Sequence, residues 1–113
     1  MRCIADRQVE DVTVLNLASR DGFGELNTEV SDRIKALTRE GRGRFLLNLQ
    51  EVSYLDSSGL GDLANAHQSG AAEGVSVKLS NVQPRVAAVL RTVNLLGFFE
   101  IFDSEEEALK SFR

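Results

Sequence analysis

Phe45-Leu46-Leu47-Asn48-Leu49-Gln50-Glu51-Val52-Ser53-Tyr54-Leu55-Asp56-Ser57-Ser58-Gly59-Leu60-Gly61 changes character halfway along its length. Residues 45–49 form a nearly continuous apolar run, the pattern of a strand covered on both faces. Beyond Asp56 the spacing changes, with Leu60, Leu63, Ala64 and Ala71 keeping a helical period. A helix is therefore predicted to begin around Asp56-Ser57-Ser58 and to close at Gly74. A buried strand that passes directly into a helix belongs to the alternation from which α/β domains are built.

The same alternation extends outward in both directions. Upstream, a short strand is expected near residues 2–6 and a stronger one near 11–18, where Val12, Val14, Leu15 and Leu17 gather. Asp21-Gly22-Phe23-Gly24 then breaks the chain. Leu26, Val30, Ile34 and Leu37 follow at steps of four, four and three, one face of a helix. Gly41-Arg42-Gly43 ends that helix, because glycine tolerates the left-handed conformation past a C-terminus. Downstream, Val75, Val77 and Leu79 alternate with polar residues as a strand. Pro84 suits a helical first turn, and Val86, Val89, Leu90 and Val93 give that helix a buried stripe. Phe98 to Phe102 supplies a last short strand. Ser104 with Glu107 forms a capping-box pattern before a final helix, with Leu109 and Phe112 inside. The predicted order is β-β-α-β-α-β-α-β-α: an α/β domain with a mixed, mostly parallel central sheet and helices packed on it.

The totals agree with one such unit. The chain has 113 residues, which suits a single domain over 1–113 with enough apolar material for one core. Hydrophobic residues make up 42% and charged residues 27%, an ordinary balance for a soluble protein. A net charge of −4 offers no broad electrostatic footprint for nucleic acid, and no recognised nucleic-acid motif is present. The lone cysteine, Cys3, cannot form an internal disulfide; it reads as a small hydrophobe of the first strand in a reducing compartment. The N-terminus lacks the long apolar stretch of a secretory signal, and no run approaches a membrane span. A cytoplasmic location without membrane contact is expected.

The segment around Ser57 admits a purely structural account. Asp56 or Ser57 would cap a helix by accepting from an orphan backbone N–H, worth roughly 1 kcal/mol. That account leaves Gly59 and Gly61 unexplained, since each glycine costs a helix interior roughly 0.5–1 kcal/mol relative to alanine. Two glycines in a first turn suit a surface that another backbone must approach closely. A hydroxyl on such a surface is well placed to receive a phosphoryl group.

Here the residues resemble a known family. Phe45 to Gly61, FLLNLQEVSYLDSSGLG, is similar to the signature of the STAS domain (sulfate transporter and anti-sigma factor antagonist). The likeness continues through the strand Val75 to Leu79, the Asn81-Val82-Gln83-Pro84 turn and Asn94-Leu95-Leu96-Gly97-Phe98-Phe99. The element order agrees with the family from about residue 9 to residue 112. Because the chain starts at Met1 with no transporter ahead of it, the stand-alone antagonist branch is the expected one. The resemblance implies that Ser57, directly after Asp56, is the phosphoacceptor, with Ser58 the weaker candidate. It implies an anti-sigma factor serine kinase as partner and a serine phosphatase that resets the switch; a monomer or weak dimer without cofactors or bound metal is expected. Asp56, Ser58, Gly59, Leu60, Gly61 and Asp62 would form the surroundings of the phosphosite. Relatives carry Gly-x-Leu-Asp after the second strand, whereas this chain has Gly24-Glu25-Leu26-Asn27. The acidic companion of Ser57 thus stands open between a replacement by Asn27 and a charge supplied by Asp21 or Glu25.

Enzymatic readings fare poorly on these residues. Gly41-Arg42-Gly43 precedes a strand and has no Lys-Ser/Thr after it, so it is no phosphate cradle. Glu105-Glu106-Glu107 falls in a first helical turn, where the macrodipole favours negative charge, and reads as a solvated face. His67, the only histidine, is ten residues past Ser57 on the predicted helix, about 15 Å along its axis. A general base must lie within about 3 Å of its proton donor, so no serine hydrolase is built from this pair. A receiver-type phosphoaspartate at Asp56 would need an acidic metal-binding pair and a late lysine, neither of which is evident. A scaffold subunit of a multi-protein stress-signalling assembly is the alternative to an antagonist, and an accessory role in lipid transport ranks below it.

Overall fold

The structure, a computed structural model, describes residues 2–19, 24–52, 74–92 and 100–112. Its first two strands, β1 (Arg2–Val9) and β2 (Val12–Ser19), form an antiparallel hairpin. Glu10 in the turn takes a left-handed φ of 56°, the conformation that matches a tight turn to the twist of its strands. Helix α1 (Gly24–Arg39), strand β3 (Arg44–Val52), strand β4 (Ser76–Ser80), helix α2 (Pro84–Thr92), strand β5 (Ile101–Phe102) and helix α3 (Glu105–Ser111) follow. The sheet order is β1-β2-β3-β4-β5, and β2 to β5 run parallel to one another. The sheet is mixed and mostly parallel, as predicted. The helix expected between Asp56 and Gly74 falls on residues outside those described. Gly74 itself has a φ of 76°, suited to a helix end.

Two layers of apolar packing explain why the middle of the chain reads as continuously hydrophobic. On one face Leu15, Leu17, Phe45, Leu47, Leu49, Val77 and Leu79 meet Val30 and Ile34 of α1 and Val86 and Leu90 of α2. On the other face Val12, Val14 and Leu46 meet Ala108 of α3 and Phe112 at its C-terminal cap. Strand β3 is thus covered on both sides, with Phe45 through Leu49 all buried. At the end of α1 the Gly41 N–H donates to the Thr38 carbonyl and the Arg42 N–H to the Leu37 carbonyl, both at 3.0 Å. These paired bonds satisfy carbonyls that the helix leaves open, and they require the left-handed Gly41, at φ 93°. The predicted glycine stop is therefore a Schellman turn.

Several expectations shift once α3 is in place. Strand β4 does not alternate between core and solvent; Lys78 and Ser80 are buried along with Val77 and Leu79, because α3 packs over the side that a lone amphipathic strand would expose. In α3, Ala108 takes the fully buried position and Leu109 is only partly buried, while Phe112 is inside as predicted. The Ser104 Oγ accepts from the Glu107 N–H at 3.2 Å, one half of the expected capping box. Val89 is partly buried, and Val93 lies outside the described residues. The last strand is described as Ile101–Phe102 alone. No helix among the described residues is long and apolar enough to cross a membrane.

Candidate functional site

Parallel strands release the chain at a shared edge. Ser19 at the end of β2 lies beside Val52 at the end of β3. One step in, Asn48 lies beside Ser80 at the end of β4, and Ser80 beside Phe102 of β5. Helices α1, α2 and α3 each follow a strand that ends there, so their positive N-terminal ends gather around the same edge. In open α/β sheets this carboxyl edge is where binding sites are built. Ser57 is five residues beyond Val52, so chain length alone keeps it within about 18 Å of that strand end.

The edge is unusually polar for the end of a buried strand. Asn16, Asn48 and Ser80 are register partners and form a row across β2, β3 and β4 on the face that α3 packs against. Ser80 is fully buried and its Oγ has no hydrogen-bond partner; the Oδ1 of the adjacent Asn81 is likewise buried and unpartnered. Leaving a hydroxyl so desolvated costs roughly 1–3 kcal/mol. Asn81 also takes a left-handed φ of 57° while its N–H donates to the Phe102 carbonyl at 3.1 Å.

Strand β3 carries one extra residue at this point. Asn16 faces Asn48, but Ala18 faces Glu51, so two residues of β2 span three of β3. This is a bulge, a feature rare in parallel pairs and common where a strand re-aims its side chains beside a site. Gln50 and Glu51 consequently both face solvent, while Leu49 before them and Val52 after them are both in the main core. The Gln50 N–H donates to the Asn48 Oδ1 at 3.0 Å, and the Gln83 Nε2 donates to the Gln50 carbonyl at 2.5 Å.

Of the residues singled out from the sequence, Asn27 lies in the first turn of α1, where the chain leaves the carboxyl edge, and Glu25 is in the same turn. Asp56, Ser57, Ser58, Gly59, Leu60, Gly61, Asp62, Asp21 and His67 lie outside the described residues. The acidic run is engaged on the surface, with Glu105 paired to Arg7 and Glu106 to Lys110. Sequence reasoning missed Asn48, Ser80, Asn81 and Gln83. The available signal was polar: an asparagine inside the apolar run 45–49, and three polar residues just ahead of Pro84.

Fold and edge together define a small mixed-sheet α/β domain that presents its candidate site where parallel strands end and helices begin. The chain belongs to the STAS domain family, whose sequence profile matches residues 4–108. It is 29% identical over 91 residues to an anti-sigma F factor antagonist of Paenibacillus polymyxa, covering 76% of this chain and 78% of that protein. Among solved structures, an anti-sigma factor antagonist of Mycobacterium paratuberculosis superposes with a TM-score of 0.77 at 18% identity, over 98% of this chain and 93% of that one. The Bacillus cell fate determinant SpoIIAA in its phosphorylated form superposes at 0.70 with 20% identity, over 98% and 100%.

Proposed function

We propose that this chain is an anti-sigma factor antagonist whose unphosphorylated form binds an anti-sigma factor that is itself a serine kinase, so that a sigma factor is freed. Phosphorylation of Ser57 ends the interaction, and a serine phosphatase restores it. The observation that carries this reading is the Asp56-Ser57-Ser58-Gly59-Leu60-Gly61 segment, which begins four residues beyond the end of β3 at the carboxyl edge. The antagonist name borne by the Paenibacillus relative supports it.

The chemistry of the switch is local. A phosphate adds about −1.5 to −2 charges and three strong acceptor oxygens. Near a helix N-terminus that charge is tolerated by the dipole, so the fold persists. Its effect falls on a partner that docks closely over Ser57 and would have to bury the new charge beside Asp56 and Asp62. A buried, unpaired charge costs several kcal/mol, and every 1.4 kcal/mol is tenfold in affinity, so binding falls about a hundredfold or more. The chain acts as a binding module without catalysis of its own. Incubation with ATP and an anti-sigma factor kinase tests the assignment. Mass spectrometry is expected to find one acid-stable phosphate on Ser57; a phosphate mainly on Ser58, or an acid-labile one on Asp56, contradicts it.

A further inference from the structure

We infer that Gln83, acting with Asn48 through the β3 bulge, is a positioning residue for the phosphoacceptor segment, an inference that rests on the reading of Ser57 given above. Side chains along a strand alternate, so a shift of one residue turns every later side chain to the opposite face. Phe45, Leu47 and Leu49 point into the main core. Without the extra residue, Val52 would turn toward the α3 face; with it, Val52 is fully buried in the main core. The bulge therefore sets the face that Val52 takes at the end of β3, four residues before Asp56.

That geometry is held by side chains. The extra residue interrupts the ladder, and both backbone groups of Gln50 are met by side chains: its N–H by the Asn48 Oδ1 and its carbonyl by the Gln83 Nε2. Asn48 is 7% exposed and comes from β3 itself, forming the short side chain-to-backbone turn typical of asparagine. Gln83 comes from elsewhere in the chain, immediately before Pro84 at the start of α2. Its amide joins the start of that helix to the exit of β3. Two elements of the carboxyl edge are thereby held in one arrangement, and the segment carrying Ser57 starts from that arrangement. Transfer to a serine hydroxyl demands alignment at the ångström level, and small misplacements from a distant contact slow such steps strongly.

Gln83→Glu tests this with almost no change of shape, since it replaces the donating Nε2 with a carboxylate oxygen facing the Gln50 carbonyl. Gln83→Lys restores a donor. The kinase used is an anti-sigma factor kinase that labels the wild-type chain, and amide spectra of residues 53–62 are recorded in parallel on the free proteins. Gln83→Glu is expected to melt close to wild type and to keep KM within about twofold while kcat falls about tenfold. Its amides from 53 to 62 shift, and Gln83→Lys recovers both rate and spectrum. Equal phosphorylation rates and unshifted amides in Gln83→Glu overturn the inference, as does a rate loss that Gln83→Lys fails to rescue. Failure to label wild-type Ser57 with any such kinase is the separate failure of the underlying reading, and the amide shifts then still decide whether Gln83 positions the segment.

Discussion

Replacing Lys78 by methionine changes stability little, although this lysine is among the most heavily engaged side chains of the described residues. Its side chain is 11% exposed; Nζ lies 3.1 Å from Glu100, donates to the Ser111 Oγ at 2.9 Å and its carbonyl at 3.3 Å, and sits 4.4 Å from the centre of the Phe112 ring. Removing one member of a buried ion pair costs about 3–5 kcal/mol when an uncompensated charge is left behind. Here none is. The Glu100 side chain is 65% exposed and rehydrates, and the Ser111 Oγ still donates to the Ala108 carbonyl at 2.6 Å. The loss reduces to two hydrogen bonds to Ser111 of about 1 kcal/mol each and a cation–π contact of about 1 kcal/mol. Against it stands the desolvation of the ammonium, which methionine does not suffer while keeping the packing of the stem. The net change for Lys78→Met is expected below about 1.5 kcal/mol. Lys78→Glu places a carboxylate beside Glu100 and over the aromatic face, and is expected to cost about 3–5 kcal/mol. Urea unfolding at a common slope m measures both. A loss above about 3 kcal/mol for Lys78→Met would show instead that the charge itself holds α3 in place.

Two further substitutions probe the polar details of the fold. Ser80→Ala deletes a buried hydroxyl that makes no hydrogen bond, so stability is expected to hold or to rise by up to about 1 kcal/mol; a clear drop in the urea midpoint contradicts this. Ser104→Ala removes the acceptor of the Glu107 N–H and is expected to cost about 1 kcal/mol, read as a Tm lower by about 4 °C. Its far-ultraviolet spectrum should remain close to wild type, because α3 is only Glu105–Ser111.

How far the sequence carried these conclusions depended on where neighbouring elements lie. Strand β3 was legible because burial on both faces leaves a mark in every residue from Phe45 to Leu49. Helix α1 was legible because Val30 and Ile34 pack inward at helical spacing, and its end because Gly41 must be left-handed. Lys78 and Ser80 misled for a physical reason: they alternate with Val77 and Leu79 as solvent-facing residues would, and only the return of α3 over that face buries them. The bulge left no local signature, since Gln50 and Glu51 read as an ordinary polar strand end. Gln83 was hidden for a related reason, as its bond to Gln50 spans 33 residues of chain. Asn27 lies in the first turn of α1, at the carboxyl edge, while the chemistry proposed for Ser57 came from the motif and its resemblance.

Charge on Ser57 is proposed to control partner binding without disturbing the fold, and paired Ser57→Asp and Ser57→Ala variants separate that role from a purely structural one. Both are titrated against the anti-sigma factor and melted beside wild type. Ser57→Asp is expected to melt like wild type, since aspartate caps a helix as well as serine and its charge suits the positive end. The same variant is expected to lose affinity strongly, although aspartate carries about half the charge of a phosphate. Ser57→Ala is expected to bind constitutively, with a stability loss of up to about 1–2 kcal/mol if the hydroxyl caps the helix. A Ser57→Asp protein that binds as tightly as wild type, beside a Ser57→Ala protein whose only change is its stability, would rule out charge control and leave Ser57 a structural cap.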